Sequence, residues 1–289
     1  MTQYRYHLDK TSKKFNCPQC GKKSFVKYIE TETGHYAESQ YGRCDREIKC
    51  GFFEYPNGNS IINYNYVAPP PMKPSYIKKE KLQKSLTKYE INPLITYLYN
   101  YYSKDEVRNS FKNYQVGTSK MYNGATVFWQ MDNTGKIRTG KIMAYDIAKG
   151  KRKKNKYEKS LIYWVHSALK IPKDSIRQCL FGLHLLNAKT KQVAIVESEK
   201  TALIMSIEFP NHTWMSTGSL QGFKHKYLAP LKGTAIIAFP DKEGYVQWQK
   251  TADILNDKGF EIEVSKLLEN KEYDDGWDLV DVLNYESEK

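Results

Sequence analysis

The sequence predicts an α+β multidomain chain: an N-terminal cysteine ribbon, a mixed α/β basic subdomain, and a C-terminal α/β domain built on a parallel sheet. Three observations carry this. Four cysteines fall in two close pairs, Cys17 with Cys20 and Cys44 with Cys50. Charge is split: residues 1–190 carry 34 basic against 15 acidic residues, a net +19, and residues 191–289 carry 11 against 17, a net −6. The third is a repeated grammar, QVAIVESEKTAL and GTAIIAFPDKEG. In each, a short apolar run (193–196, then 235–239) stops at a carboxylate, Glu197 or Asp241, before a helical pattern. Short, fully apolar strands between helices read as buried parallel strands.

Residues 1–56 form the ribbon. FNCPQCGKKSF puts Cys17 and Cys20 on one knuckle, and GRCDREIKCG supplies Cys44 and Cys50. Four thiols in two pairs fit a tetrahedral, structural Zn²⁺ site, all four positions being filled by protein. The second pair is more widely spaced than usual, and His35 between the pairs is an alternative ligand. Cys179 stands alone among apolar residues and reads as a buried inert thiol.

Residues 57–79 form a linker, rich in Gly and Asn and then in Pro (VAPPPMKP). The basic subdomain spans 80–190. Asn92-Pro93 is a helix cap with proline in the first turn, and Ser103 with Glu106 has capping-box spacing. Tyr97, Tyr99, Tyr101 and Tyr102 are either core or a surface for stacking bases. Residues 124–146 alternate as a hairpin around Asp132–Gly135, with Arg138 and Lys141 on the return strand. KGKRKKNKYEK follows, with Lys149, Lys151, Arg152, Lys153, Lys154 and Lys156. Such a block is either a solvated run or the contact for a nucleic-acid strand. His166 and His184 lie among apolar residues without a nearby acid and read as packed histidines.

Residues 191–289 read strand, helix, strand, helix, strand. Ligands of open α/β sheets bind beyond the carboxyl ends of the strands. Glu197 and Asp241 therefore share one rim, and hard oxygen ligands there suit Mg²⁺ or Mn²⁺ holding a phosphate. TGSLQGF, with Gly218 and Gly222, gives a loop where backbone can approach a phosphate. In DDGWDLVDVLN, Asp278 and Asp281 open a helix. They either join the rim or favour the helix dipole.

The C-terminal region resembles the toprim domain of bacterial and phage primases, topoisomerases and some nucleases. VESEKTAL is similar to its first motif, TGSLQGF to its glycine loop, AFPDKEGY to its Asp-x-Asp motif and DLVDVL to its closing acidic motif. YQVG, TVFWQMDNTGKIRTGKIMAYD and QCLFGLHLL resemble the basic subdomain that precedes toprim in zinc-ribbon primases. The order of ribbon, basic subdomain and toprim resembles a DNA primase of bacterial mobile-element or phage type. The resemblance implies that Glu197 is a catalytic acid/base or metal-site carboxylate, and that Lys200 touches an incoming nucleotide phosphate. It implies that Asp241 and Glu243 coordinate Mg²⁺, with Asp278 and Asp281 completing the acidic set. It departs at Ser198 for a glycine, Thr201 for an acid, Pro240 before Asp241, and Glu243 for an aspartate.

The implied function is synthesis of short primers on single-stranded DNA from nucleoside triphosphates. A catalytically degenerate nucleic-acid-binding protein and a toprim nuclease are the alternatives. No GxxxxGK[ST] motif occurs, so the expected replicative helicase is a separate partner. No run of about 18 apolar residues and no apolar N-terminal block are found, so a cytoplasmic protein with no membrane contact is expected.

Overall fold

A computed structural model describes residues 4–46, 50–56 and 72–287. The chain divides into two compact units, Met1–Pro70 and Pro71–Lys289. Of the expected linker, 57–71 lie outside the described residues, whereas the residues just after them join the second unit. Ile77 is buried there and its amide donates to the Ile137 carbonyl at 2.9 Å.

The first unit is an antiparallel sheet of β1 (Tyr6–Leu8), β2 (Phe15–Asn16), β3 (Lys23–Glu30), β4 (Gly42–Cys44) and β5 (Phe53–Glu54), with the path β1-β3-β4-β5 and β2 beside β3. Its core is small: Phe25, Cys17 and Cys44, backed by Phe15 and Phe52. So little apolar burial rarely holds a unit of this size without a staple. The four cysteine sulfurs all lie within 4.8 Å of one another. The Cys17–Cys50 and Cys20–Cys44 pairs are 3.7 and 4.0 Å apart. A Zn–S bond of about 2.3 Å sets a tetrahedral edge of about 3.8 Å, so the donor set fits Zn²⁺. The Lys22 amide lowers the Cys20 thiol to about 6, while, against the Phe52 backbone, burial and the neighbouring sulfurs push Cys50 up to about 12, so the four resist ionising together unless a cation binds them. His35 is exposed and outside this cluster, so the thiolates alone form it.

The second unit opens with α1 (Lys79–Gln83), α2 (Pro93–Leu98) and α3 (Lys104–Asn113). Asn92 caps α2 by accepting from the Leu94 amide at 3.1 Å. The same side chain donates to Thr118 and accepts from Thr126, so one buried amide ties helix to sheet. Ser103 and Glu106 form a full capping box on α3. The sheet is β6 (Gly117–Thr118), β7 (Thr126–Met131), β8 (Ile137–Met143) and β9 (Ile162–Trp164), antiparallel and in that order, followed by α4 (Val165–Ala168). Alternation on β7 does not separate a wet face from a dry one. Val127 and Trp129 pack with Ile137 and Ile142, and Phe128 packs edge-on against Phe181 at 5.5 Å. Both faces are covered because the C-terminal domain closes over the second.

That domain runs β10 (Gln192–Val196), α5 (Glu199–Glu208), β11 (Thr213–Ser216), α6 (His225–Leu228), β12 (Ala235–Phe239), α7 (Tyr245–Asn256), β13 (Glu261–Val264) and α8 (Leu279–Ser287). Its strands are parallel, in the order β11-β10-β12-β13. The chain leaves β10 toward one edge and β12 toward the other. The switch point, where the strand order opens a crevice, therefore lies between β10 and β12. α3 meets α5 through a Ser110–Ser206 hydroxyl pair at 2.8 Å. Tyr97, Tyr99 and Tyr102 pack on the core, while Tyr101 is 61% exposed. His166 bonds Thr139 and His184 bonds the Asn113 carbonyl. Burial pushes the Cys179 thiol up to about 12, leaving it unreactive. Among the described residues no helix is long and apolar enough to cross a membrane.

Because the four-sulfur cluster substitutes for a core, its removal should act locally. Chelation, or Cys44→Ser, is expected to abolish amide protection in β2–β5 while the second unit melts unchanged. Persistent protection of β3 and β4 in metal-free protein would contradict this.

Candidate active-site cleft

Glu197 follows β10 directly, and Asp241 follows β12 after Pro240, so both project from neighbouring strand ends at the switch point. The Asp241 backbone lies near enough to Glu197 to favour its charged form. Gly244 lets the chain turn close by: a Cβ there would lie 2.9 Å from the Pro240 side chain and 3.1 Å from Glu197 Oε1. Ser198 caps α5 by accepting from the Thr201 amide at 3.1 Å, a role that glycine has no side chain to fill.

Thr201 in turn donates to Asp278 Oδ2. The other oxygen, Oδ1, accepts from the Val280 and Asp281 amides, while Asp281 Oδ2 accepts from the Asp278 amide at 3.0 Å. Asp278 and Asp281 thus form a reciprocal cap on α8, and both still line the cleft with Glu197 and Asp241. The cleft holds ≈ 790 Å³.

Its electrostatics are those of crowded acids. Burial first, then the Asp278 charge, pushes Glu197 up to about 7. Burial, followed by Glu197, Asp278 and Asp281, pushes Asp241 up to about 8, with Arg152 pulling the other way. Asp281 is raised by burial and Asp278, against Lys200 and Lys151. Like charges sharing a low-dielectric site resist joint ionisation unless a cation intervenes. Among the described residues, the cysteines alone bring three or more ligand atoms all within 4.8 Å of one another. The cleft carboxylates are more open than that. A Mg²⁺ ion usually keeps several waters and takes one or two carboxylates plus substrate phosphates, so it does not need all of these acids within that distance.

The opposing wall is basic. Residues 144–160 fold back on themselves through bridges Tyr145–Arg152 and Lys154–Ser160. Lys151, Arg152 and Lys154 line the cleft, as does Lys200, which reaches the Gly150 carbonyl at 3.4 Å. Lys149, Lys153 and Lys156 are exposed outside its lining. Arg138 is committed elsewhere, 2.6 Å from Asp132 and over the Tyr76 ring. Lys141 is buried in the cleft wall. Its ammonium lies 2.6 Å from Glu199 and 2.9 Å from the Gly218 carbonyl. Gly218 has φ +78°, and any Cβ there would come within 2.9 Å of that ammonium. Trp248 holds the same loop by donating to the Leu220 carbonyl at 3.0 Å.

The structure does not bring Glu243 to this rim. It is exposed at φ 74°, and its amide donates to Glu269 Oε1. The turn that carries Asp241 inward rotates the residue two places on toward solvent. Sequence reasoning missed Glu199, the buried partner of Lys141, because an acid in a first helical turn ordinarily serves the dipole. It also missed Asp274 and Asp275, which line the cleft; their adjacency to Asp278 in one acidic run was the available signal.

Several solved structures resemble this chain. The primase fragment of the bacteriophage T7 primase-helicase protein is 16% identical, with 87% of this chain and 88% of that chain covered and a TM-score of 0.40. The RNA polymerase domain of Mycobacterium tuberculosis primase DnaG, in complex with double-stranded DNA, is 13% identical over 70% of this chain and 72% of that chain, TM-score 0.46. The Aquifex aeolicus primase (zinc-binding and RNA polymerase domains) is 12% identical over 97% and 77%, TM-score 0.41. No curated protein matches the sequence. Residues 4–64 match the zinc beta-ribbon finger family. Residues 92–242, just over half of the sequence, match the family described as "Domain of unknown function (DUF6371)", and the chain belongs to that family.

Proposed function

We propose that this protein is a primase-like nucleotidyltransferase that builds short primers from nucleoside triphosphates on single-stranded DNA. The observation that carries the reading is the pairing of Glu197 and Asp241 at the switch point, opposite a wall of Lys151, Arg152 and Lys154. The resemblance of the motif order to zinc-ribbon primases supports the same reading.

In the reaction a 3′-hydroxyl attacks the α-phosphate of a nucleotide, forming one P–O bond and releasing pyrophosphate. Glu197, poised near 7, takes up the hydroxyl proton as general base. Asp241, with Asp278 fixed at the helix cap, would hold Mg²⁺, which when bound neutralises the phosphates and the charge that develops between them. Lys200 engages the triphosphate, and the 217–222 loop offers backbone amides. Lys151, Arg152 and Lys154 hold the template backbone, a contact that should weaken steeply with salt.

Two outcomes are expected. Primer synthesis on single-stranded DNA with Mg²⁺ should fall about 10²- to 10⁴-fold in Glu197→Gln and Asp241→Asn. Undiminished product in either variant would reject the assignment. Loss of template binding with retained metal binding in Lys151→Ala/Arg152→Ala would separate the wall from the acids.

The second outcome concerns pH. Glu197 and Asp241 titrate near 7 and 8 in the folded chain and near 4 in the unfolded one. Between these values the folded state binds more protons, so metal-free stability falls as pH rises through that window. Melting in chelator should drop from pH 5 to pH 8, and Asp241→Asn should flatten the drop. Mg²⁺ should restore stability at pH 8 by mass action. A profile unaffected by Asp241→Asn would contradict the crowded-acid description.

A further inference from the structure

The two faces of the parallel sheet are covered unequally. On one, α6 and α7 pack over Val193, Ile195, Ile236, Ala238, Ile262 and Val264. On the other, α5 and α8 leave an apolar groove of ≈ 310 Å³, floored by Ala194, Trp214, Ile237 and Phe239. Its rim is unusually open for apolar residues, with Phe209 42% and Leu267 51% exposed.

Residues paired across parallel strands present their side chains on the same face. The row Trp214, Ala194, Ile237, Glu263 therefore crosses all four strands on the groove side, and Ala235 stands beside Glu261. The edge strand thus gives this face two exposed carboxylates and no apolar side chain. Lys266, the next cation along the chain, is turned onto the Tyr245 ring at 5.2 Å.

A parallel sheet is ordinarily covered on both faces. The open part is β12 with β13, where Ala235, Ile237 and Phe239 are half-buried and Glu261 and Glu263 exposed; two strands about 4.8 Å apart make a strip about 10 Å wide, the diameter of one helix. The cover must be apolar toward Ile237 and Phe239 and cationic toward Glu261 and Glu263. In an isologous dimer the same face supplies both sides, and the groove's lining holds no lysine or arginine to meet those carboxylates. We propose that this groove docks an amphipathic helix of a partner protein, its apolar stripe in the groove and its lysines or arginines over Glu261 and Glu263. The groove shares no lining residue with the cleft, so the proposal stands apart from nucleotidyl transfer.

The test titrates the full-length protein with two labelled helical peptides sharing one leucine stripe, one with lysine and one with glutamate on the polar face. The lysine peptide should bind at least about tenfold tighter. Leu267→Asp should weaken it at least about tenfold, as should Glu261→Lys with Glu263→Lys, at unchanged melting temperature. Leu267→Asp adds negative charge, so attraction by charge alone would strengthen binding and overturn the docking geometry. Equal binding of both peptides, or lysine-peptide binding unchanged in both variants, would also overturn it. So would a concentration-dependent dimer abolished by Leu267→Asp, which would make a second copy the occupant.

Discussion

Burial of the Glu197 and Asp241 carboxylates side by side is the constraint around which the cleft of the second unit is arranged. Sheet topology forces it: β10 and β12 are neighbours, run the same way, and end at the switch point. Neighbouring strand ends lie about 5 Å apart, so two buried acids there cannot both ionise without help. The surrounding structure answers with nearby cations rather than direct salt bridges. Arg152 acts on Asp241, and Lys151 with Lys200 acts on Asp281. On the proposed reading, this unfinished compensation is what makes the cleft receptive to a divalent ion and a phosphate together.

Around that centre, polar contacts fix each participant to more than one element. Asp278 is held by Thr201 of α5 and by the first amides of α8, so two helices set its direction. The glycine loop is held by Lys141 from the antiparallel sheet and by Trp248 from α7. Lys141 also pairs with Glu199, so a buried ion pair joins the basic subdomain to the first turn of α5. Breaking one member of such a pair leaves the other buried and unpaired, which is strongly destabilising. This couples the cleft walls mechanically: the strand that carries Lys141 cannot move without disturbing the loop that faces the carboxylates.

Much of this was legible in the residues. The apolar runs ending at Glu197 and Asp241 announced parallel strands; β10 is buried on both faces, whereas β12 is buried on one and half-open on the other, where the groove lies. Asn92-Pro93 and the Ser103–Glu106 spacing marked helix starts that the backbone adopts. The paired cysteines pointed to their cluster by spacing, with His35 left as an alternative until the structure placed it outside. What the sequence hid were relations between distant segments. The motif comparison set Glu243 beside Asp241, but a left-handed turn at that residue sends it outward. The block from Lys149 to Lys156 looked uniform, yet its fold-back sends only Lys151, Arg152 and Lys154 into the cleft. Glu199 looked like a dipole partner until Lys141 arrived from another sheet.

The central claim is that Asp241 and Asp278, beside Glu197, hold a divalent cation. Anomalous diffraction from a crystal soaked in Mn²⁺ tests it most directly. The account predicts a peak within about 2.2 Å of a carboxylate oxygen of Asp241 or Asp278, lost in Asp241→Asn. A cleft without Mn²⁺, or an ion held by Asp274 and Asp275 alone, would contradict it.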